Sequence, residues 1–383
     1  MNNRPYDFCI AAATRDGSGS ALYTCRLSAD GDKLQIEHTL PLSVAAPGFF
    51  TLSKNRAGVS TLYGLCEREI CWFSVGDDGQ LAMCGSTPNS SGGAAHLCVD
   101  SEARFLFTAN YGSGNVSMLP IGEDGSLGKL TTYEHGPGAH HGAVGAWGDG
   151  PQFRQESAHP HGVAVFDDTL YVADLGTNEV VSWSIDYEAG ILRQADNVTV
   201  HELAGPRHVQ ITQNGHWAFA LNELDNTLSV FRRDSEGKLK PTQTLSTLPE
   251  GWAEQNTDPT TFPNEVYSKP SHASQLLISP DDRFVYASNR GHDSIAVFSI
   301  DEANESIETV QIEPSLGRIP WVCSFSHDSR FVLVQNNHTR ANEKGPDSVV
   351  VFQRDVDSGR LTPKPARLEF PTVSSLWALS VSN

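Results

Sequence analysis

The chain repeats one hydrophobic pattern. An apolar run is followed by a polar turn such as SPDDR or TQNGH, then by a second apolar run such as FVYASN or WAFALN. A short turn leads to a third run, for example DSIAVFSID, and a loop that often ends in Gly-x-Leu closes the unit. Alternation with period two and enrichment in β-branched and aromatic residues predict that these runs are strands. Asp-Gly, Asn-Gly and Glu-Gly pairs supply the turns. No stretch sustains a helical period.

The clearest units span residues 94–136, 159–200, 205–247, 271–315 and 317–370, and two weaker ones span 6–41 and 48–88. At roughly 40–50 residues and about four strands, each has the size of a propeller blade. Two insertions interrupt the repeat, a His- and Gly-rich one at 137–158 and a polar, Pro-bearing one at 248–270. Both read as rim loops, where function commonly varies. The first unit opens on what reads as a second strand, FCIAAAT. The last segment, SSLWALSV, reads as an opening strand with no blade behind it. The pattern therefore predicts one all-β domain over 1–383, a seven-bladed β-propeller. Its C-terminal strand completes the first blade, closing the ring and removing open sheet edges.

Within this frame one position varies. The residue after the Asn or Asp that ends the second strand is Tyr111, Leu175, Glu223, Arg290 or Asn337 in successive units. A scaffold that repeats while one position changes from Glu to Arg is displaying a site there. Aligning the unit openings, HGVAV and RHVQI, puts His161 and Arg207 at equivalent starts in adjacent blades. With Glu223 and Arg290 on the equivalent turns, four polar residues from three consecutive blades are expected to converge at one mouth of the channel. Arg forks bind carboxylate or phosphate, and His can serve as a base near neutral pH. The alternative is structural: an interblade salt bridge between Glu223 and Arg290, with His161 a satisfied turn residue. Tyr111, Leu175, Asn337 and Trp321 are expected to wall the funnel.

Composition narrows the partners. The 383 residues carry a formal net charge of −19, which argues against nucleic-acid or anionic-membrane binding. A small anionic substrate remains compatible with a locally basic pocket. No run approaches the ~18 apolar residues of a membrane-spanning helix. FCIAAA is too short for a signal core and reads well as a strand. Six of the seven cysteines precede residue 100, most inside apolar runs, and no CxxC pair occurs; a reduced, cytoplasmic setting is expected. His135, His140, His141, His159 and His161 fall within 27 residues. They lack an HExxH or CxxC frame, so the expectation is solvated loop histidines with one or two in the pocket, and no metal or cofactor.

The segments FLFTANYGSGNVSMLPI, RQESAHPHGV, LYVADLGTNEVVSW, GPRHVQI, ALNELDNTLSVF and YASNRGHDSIAVF resemble the seven-bladed propeller lactonase family. That family includes 6-phosphogluconolactonases and carboxy-cis,cis-muconate cyclases. The resemblance implies that His161, in the H-x-H-[GS] motif, Arg207 of GPRH, Glu223 and Arg290 of SNRG are the catalytic residues, working without a metal. Tyr111, Arg154, His159, His208 and Gln275 are expected to contact substrate. Two departures bear on substrate. Gln275 and Leu277 stand where the family has an acid and a His, and Trp321 follows Pro320 where it has Arg. The implied activity is hydrolysis of a sugar-acid lactone, 6-phosphogluconolactone by default. The alternatives are a lactonising cycloisomerase acting on a muconate-type diacid and a non-catalytic binding platform.

Overall fold

The computed structural model describes residues 6–89, 93–135, 154–255, 271–341 and 345–379. They form seven four-stranded antiparallel sheets arranged as the blades of a propeller. Numbering from the N-terminus and naming the inner strand first, blade 2 comprises Phe49–Lys54, Ser60–Leu65, Glu69–Val75 and Leu81–Pro88. The inner and second strands of the next five are as follows. Blade 3 has Ala94–Val99 and Phe105–Asn110, blade 4 Pro160–Phe166 and Thr169–Asp174, and blade 5 Pro206–Ile211 and Trp217–Asn222. Blade 6 has His272–Ile278 and Phe284–Arg290, and blade 7 Pro320–Phe325 and Phe331–Asn336. Blade 1 takes its second to outer strands from Tyr6–Ala13, Ser20–Leu27 and Leu34–Leu42, and its inner strand from Val373–Ala378. Phe8 pairs with Ala378, Ile10 with Leu376 and Ala12 with Val373. The closure expected from the two incomplete end units is the one observed.

Burial explains the repeating pattern. Second strands are sandwiched between neighbouring blades, so Trp217–Asn222 is buried at every position. Outer strands lie at the rim, so Ile191–Thr199 is mostly exposed and alternates exposed and partly buried residues only from Ala195 to Thr199. The core is divided among the seven blade interfaces. Phe219 and Leu221 of blade 5 pack on Leu276 and Val285 of blade 6, for example, and Phe107 of blade 3 packs on Val172 of blade 4. Each fully buried large apolar side chain contributes ~1.5–3 kcal/mol. Tyrosines stitch alternate interfaces: Tyr63, Tyr171 and Tyr286 donate their hydroxyls to Gly125, Gly237 and Gly359 carbonyls of the next blade at 2.9, 2.7 and 2.7 Å.

One irregularity recurs on the inner strands. Pro206 pairs with Asn222 and His208 with Leu221, leaving Arg207 as an extra residue in a β-bulge. The same slip isolates Ala95, His161, Trp321 and Ser374, and it falls across Ser274 and Gln275 in blade 6. Blade 2 has no bulge there; Phe49–Lys54 pairs with Ser60–Leu65 residue for residue.

Candidate active site

The bulges place the chemistry. A regular strand sends alternate side chains to opposite faces, both of which are packed against other blades here. An inserted residue escapes that alternation and its side chain is re-aimed. His161 and Arg207 are such residues, and they meet across the blade 4–blade 5 seam. Gly162 allows the seam to be this narrow. A Cβ there would lie 2.5 Å from the Arg207 carbonyl oxygen and 2.8 Å from His208 Cα. The second set of residues comes from the display turns. Glu223 begins the turn after Asn222, and its N–H donates to the Gly205 carbonyl at 2.8 Å.

Glu223 is the hub. Arg207 Nη1 donates to its Oε2 at 2.7 Å, while Arg290 Nη2 and Arg154 Nη1 reach its Oε1 at 2.9 and 2.5 Å. Arg207 Nη1 also donates to His161 Nε2 at 2.5 Å, and its Nε donates to the carbonyl of the bulged Ser274 at 3.0 Å. Arg290 is fully buried; it donates from Nε to the His272 carbonyl and from Nη2 to the Ala273 carbonyl. Arg154, at the edge of the first insertion, closes the cluster from the side of Tyr111, whose hydroxyl accepts from its Nε at 3.3 Å. Three guanidinium groups thus converge on one carboxylate, and the expected quartet from blades 4, 5 and 6 is assembled.

Electrostatics fixes the charge states. Burial acts to raise the Glu223 carboxyl, but Arg154, Arg290 and Arg207 outweigh it and hold the group well below the usual carboxylate range. His161 is pushed well below its ordinary value, first by burial and then by the Arg207 charge. It is therefore neutral at pH 7. Because Nε2 accepts a hydrogen bond from Arg207, the proton sits on Nδ1, which has no hydrogen-bond partner among the described residues. The arrangement can hold an anion, donate hydrogen bonds to a developing oxyanion and offer a neutral imidazole.

The remaining expected residues fall into three places. Tyr111 and Arg154 are in the cluster. His159 lies behind it, stacked on Tyr111 with ring centroids 4.4 Å apart; its Nδ1 donates to the Tyr111 carbonyl and its Nε2 meets Glu156 Oε1 at 2.9 Å. His208 and Gln275 face down the central channel, where they and His96 line a cavity of about 250 Å³. The His161, His208 and His96 rings follow one another at 5.9 and 4.9 Å.

Two display residues are not walls of the funnel. Leu175 is fully buried and packs at Gly205, and the Asn337 amide donates to the Val373 carbonyl, tying blade 7 to the closing strand. His135 is apart from the site, its Nε2 3.4 Å from Asp174. His140 and His141 lie outside the described residues. Among the described residues, no group of three or more His, Cys, Asp or Glu is arranged to hold a metal ion.

Trp321 does face the cluster, its ring centre 4.5 Å from the Arg290 guanidinium carbon and 5.5 Å from that of Arg207. Arg340, which the repeat alignment did not single out, stands 4.2 Å from the same ring. The available signal was turn length: ten residues separate Asn336 from Asp347, against four in the corresponding turns of blades 3, 4 and 5.

The whole ring, residues 8–377, matches the family described as lactonase, 7-bladed β-propeller. The chain belongs to that family. Among its lactonase relatives, it is 26% identical to the 6-phosphogluconolactonase of Bacillus subtilis over 370 residues, covering 94% of this chain and 95% of the relative. It is 27% identical over 358 residues to the 6-phosphogluconolactonase of Formosa agariphila, covering 89% and 90%. The periplasmic gluconolactonase of Pseudomonas aeruginosa shares the fold with a TM-score of 0.79 at 24% identity, over 99% of this chain and 100% of that one. A Lactobacillus plantarum protein of known structure also gives 0.79, at 22% identity and 98% and 100% coverage. Among the described residues of this lactonase no helix is long and apolar enough to cross a membrane.

Proposed function

We propose that this lactonase hydrolyses a sugar-acid lactone, with 6-phosphogluconolactone the first candidate, and that His161, Arg207, Glu223 and Arg290 carry the reaction. One observation carries the assignment of roles: a single Arg207 guanidinium nitrogen bridges His161 Nε2 and Glu223 Oε2. Two 6-phosphogluconolactonases among the relatives support the substrate.

A lactone carbonyl oxygen entering the funnel competes for the Arg207 donor. As Arg207 turns to it, His161 Nε2 is released to accept a proton from a water molecule. The resulting hydroxide equivalent attacks the carbonyl carbon, and Arg207 stabilises the oxyanion that forms. The ring C–O bond then breaks, the His161 proton passes to the leaving oxygen, and the product acid ionises. Glu223 and Arg290 hold Arg207 at the right height through their buried pairings. The low basicity of His161 makes the substrate's own charge useful: an anion beside Arg207 offsets the field that depresses the imidazole.

The test is a pH-stat screen of sugar and aromatic lactones, with spontaneous hydrolysis subtracted. Wild type should accelerate opening of a sugar-acid lactone. Arg207→Ala should lower turnover by about 10²–10³, the usual cost of one oxyanion donor, with its circular dichroism spectrum unchanged. Turnover that survives Arg207→Ala unaltered would overturn the assignment.

A further inference from the structure

All seven cysteines are free thiols, and two of them touch. Cys66 Sγ lies 3.3 Å from Cys71 Sγ, close enough for one thiol to donate a hydrogen bond to the other. Strand register explains the contact. In blade 2 Cys71 pairs with Gly64, and Leu65 pairs with Ile70. Cys66 follows Gly64 by two residues, so its side chain leaves the same face of the sheet as that of Cys71. The position directly opposite Cys71 is a glycine, which leaves its sulfur room to lean toward Cys66. The hairpin tip is tied down: the Cys66 N–H donates to the Glu69 carbonyl at 2.8 Å, and the Asn89 N–H donates to the Arg68 carbonyl at 3.1 Å. Cys9 and Cys25 make the contrast. They sit on neighbouring strands, but Cys9 pairs with Thr24 and Cys25 with Phe8, and they enter different cores.

The touching pair packs in the seam between blades 1 and 2, in one cluster with Cys9, Ala11 and Leu379. Cys71 is fully buried and Cys66 is 5% exposed. The next two residues, Glu67 and Arg68, are exposed at the tip. Cys66 is thus the sulfur nearer solvent, and local opening of this short turn brings it within reach while the blades stay packed. A disulfide needs an S–S distance of ~2.05 Å, so the two sulfurs must close by roughly 1.25 Å, a movement within the range of side-chain rotation.

We propose that Cys66 and Cys71 form a redox-active dithiol, a modification site that a low-molecular-weight disulfide converts to an intramolecular disulfide across the blade 2 hairpin. The Cys66 sulfur bonds to one sulfur of the incoming disulfide, whose other half leaves as a thiol with the Cys66 proton. Cys71 then attacks Cys66 Sγ, and the second half leaves as a thiol with the Cys71 proton. Two protein thiols are oxidised, and one small disulfide is reduced to two thiols. The bridge closes only residues 66–71, so it adds little to global stability. Its effect is local: it fixes the blade 2 tip at the position that carries Glu223 in blade 5.

The test exploits Arg68, which lies between the two cysteines. Full-length protein is incubated with oxidised glutathione, denatured, alkylated and digested with trypsin. Peptide 57–68, whose sole cysteine is Cys66, should be recovered joined to peptide 69–104. A Cys84→Ser/Cys98→Ser background leaves Cys71 as the one thiol in the second peptide and should give the same joined product. Dithiothreitol before alkylation should separate the two, and Cys66→Ser should abolish the link. Incubation is repeated in urea below the unfolding transition, which speeds local opening. If Cys66 and Cys71 are both recovered alkylated under both conditions, while exposed Cys84 of the wild type takes up glutathione, the dithiol is refuted. Linkage of Cys66 to any other cysteine also refutes it.

Discussion

Blades 5 and 2 share a frame and differ by one inserted residue. In blade 5 the slip between Pro206 and His208 puts Arg207 outside the strand alternation and into the funnel. In blade 2 the inner strand runs without a slip, and its first residue, Phe49, packs instead on His96, His208 and Trp377. The display turns diverge in parallel. Blade 5 offers Glu223, which gathers three arginines; at the corresponding point after Leu65, blade 2 has Cys66, buried with its Sγ 3.3 Å from that of Cys71. One blade sends charged groups into the funnel and the other supplies wall. The bulge aims a side chain at the funnel only where the inserted residue is long and polar, as Arg207 is; the bulges of blades 1 and 3 carry Ser374 and Ala95.

The largest effect should come from the hub. Glu223→Ala leaves three guanidinium groups without their shared carboxylate and should cost about 3–5 kcal/mol in urea unfolding. Cys66→Ala, at the matching position of blade 2, should cost about 1 kcal/mol or less. Equal costs would break the contrast between the two blades.

Next comes the seam that lets blade 5 deliver Arg207. Gly162→Ala sets a methyl group against the Arg207 carbonyl and His208 Cα, and both are backbone atoms that cannot swing away. It should cost about 1–3 kcal/mol and depress turnover by widening the gap between His161 and Arg207. A variant with wild-type melting temperature and turnover would show that the seam is slack.

The smallest effect concerns the channel where the two blades meet. Burial is the first cause that lowers His96, to about 3, and it also lowers His208 and His161; neighbouring Arg207 adds to it in each case. The unfolded chain therefore binds protons that the native state refuses. Stability is full above about pH 6.5 and is lost as the pH falls from there. Glu223, lowered in the fold, adds to the loss below about pH 4.5. Melting temperature should drop by a few degrees between pH 7.5 and 5.5, and His96→Asn should flatten that slope. A melting temperature that rises on acidification would contradict the neutral channel.

The ring, its closure and the convergence of His161, Arg207, Glu223 and Arg290 were legible because all depend on local pattern and on equivalence between repeats. Period-two runs mark strands, and an Asn or Asp followed by a changing residue marks the display turn. The bulges were not legible, because a slip in register is a relation between two strands and leaves no trace in either one alone. For the same reason Leu175 and Asn337 were expected at the wall. Each shares the frame of Glu223, but an apolar side chain finds the buried pocket at Gly205, and an amide finds the Val373 carbonyl. Arg340 needed the packing of an enlarged turn onto a neighbouring bulge, which spacing alone does not reveal.

The strand Val373–Ala378, which completes blade 1, also sets a schedule. On the ribosome, blades 2 to 7 can each pair all four strands soon after synthesis, but Tyr6–Ala13 must wait, its inner edge bare, until the strand Val373–Ala378 emerges. For that interval the nascent chain presents an apolar edge, FCIAAA, with nothing to pair with, a natural handle for chaperones and a natural start for aggregation. The finished molecule then gains a latch: the ring cannot open without pulling a terminal strand from between its neighbours, so unfolding should be slow even where the overall stability is modest.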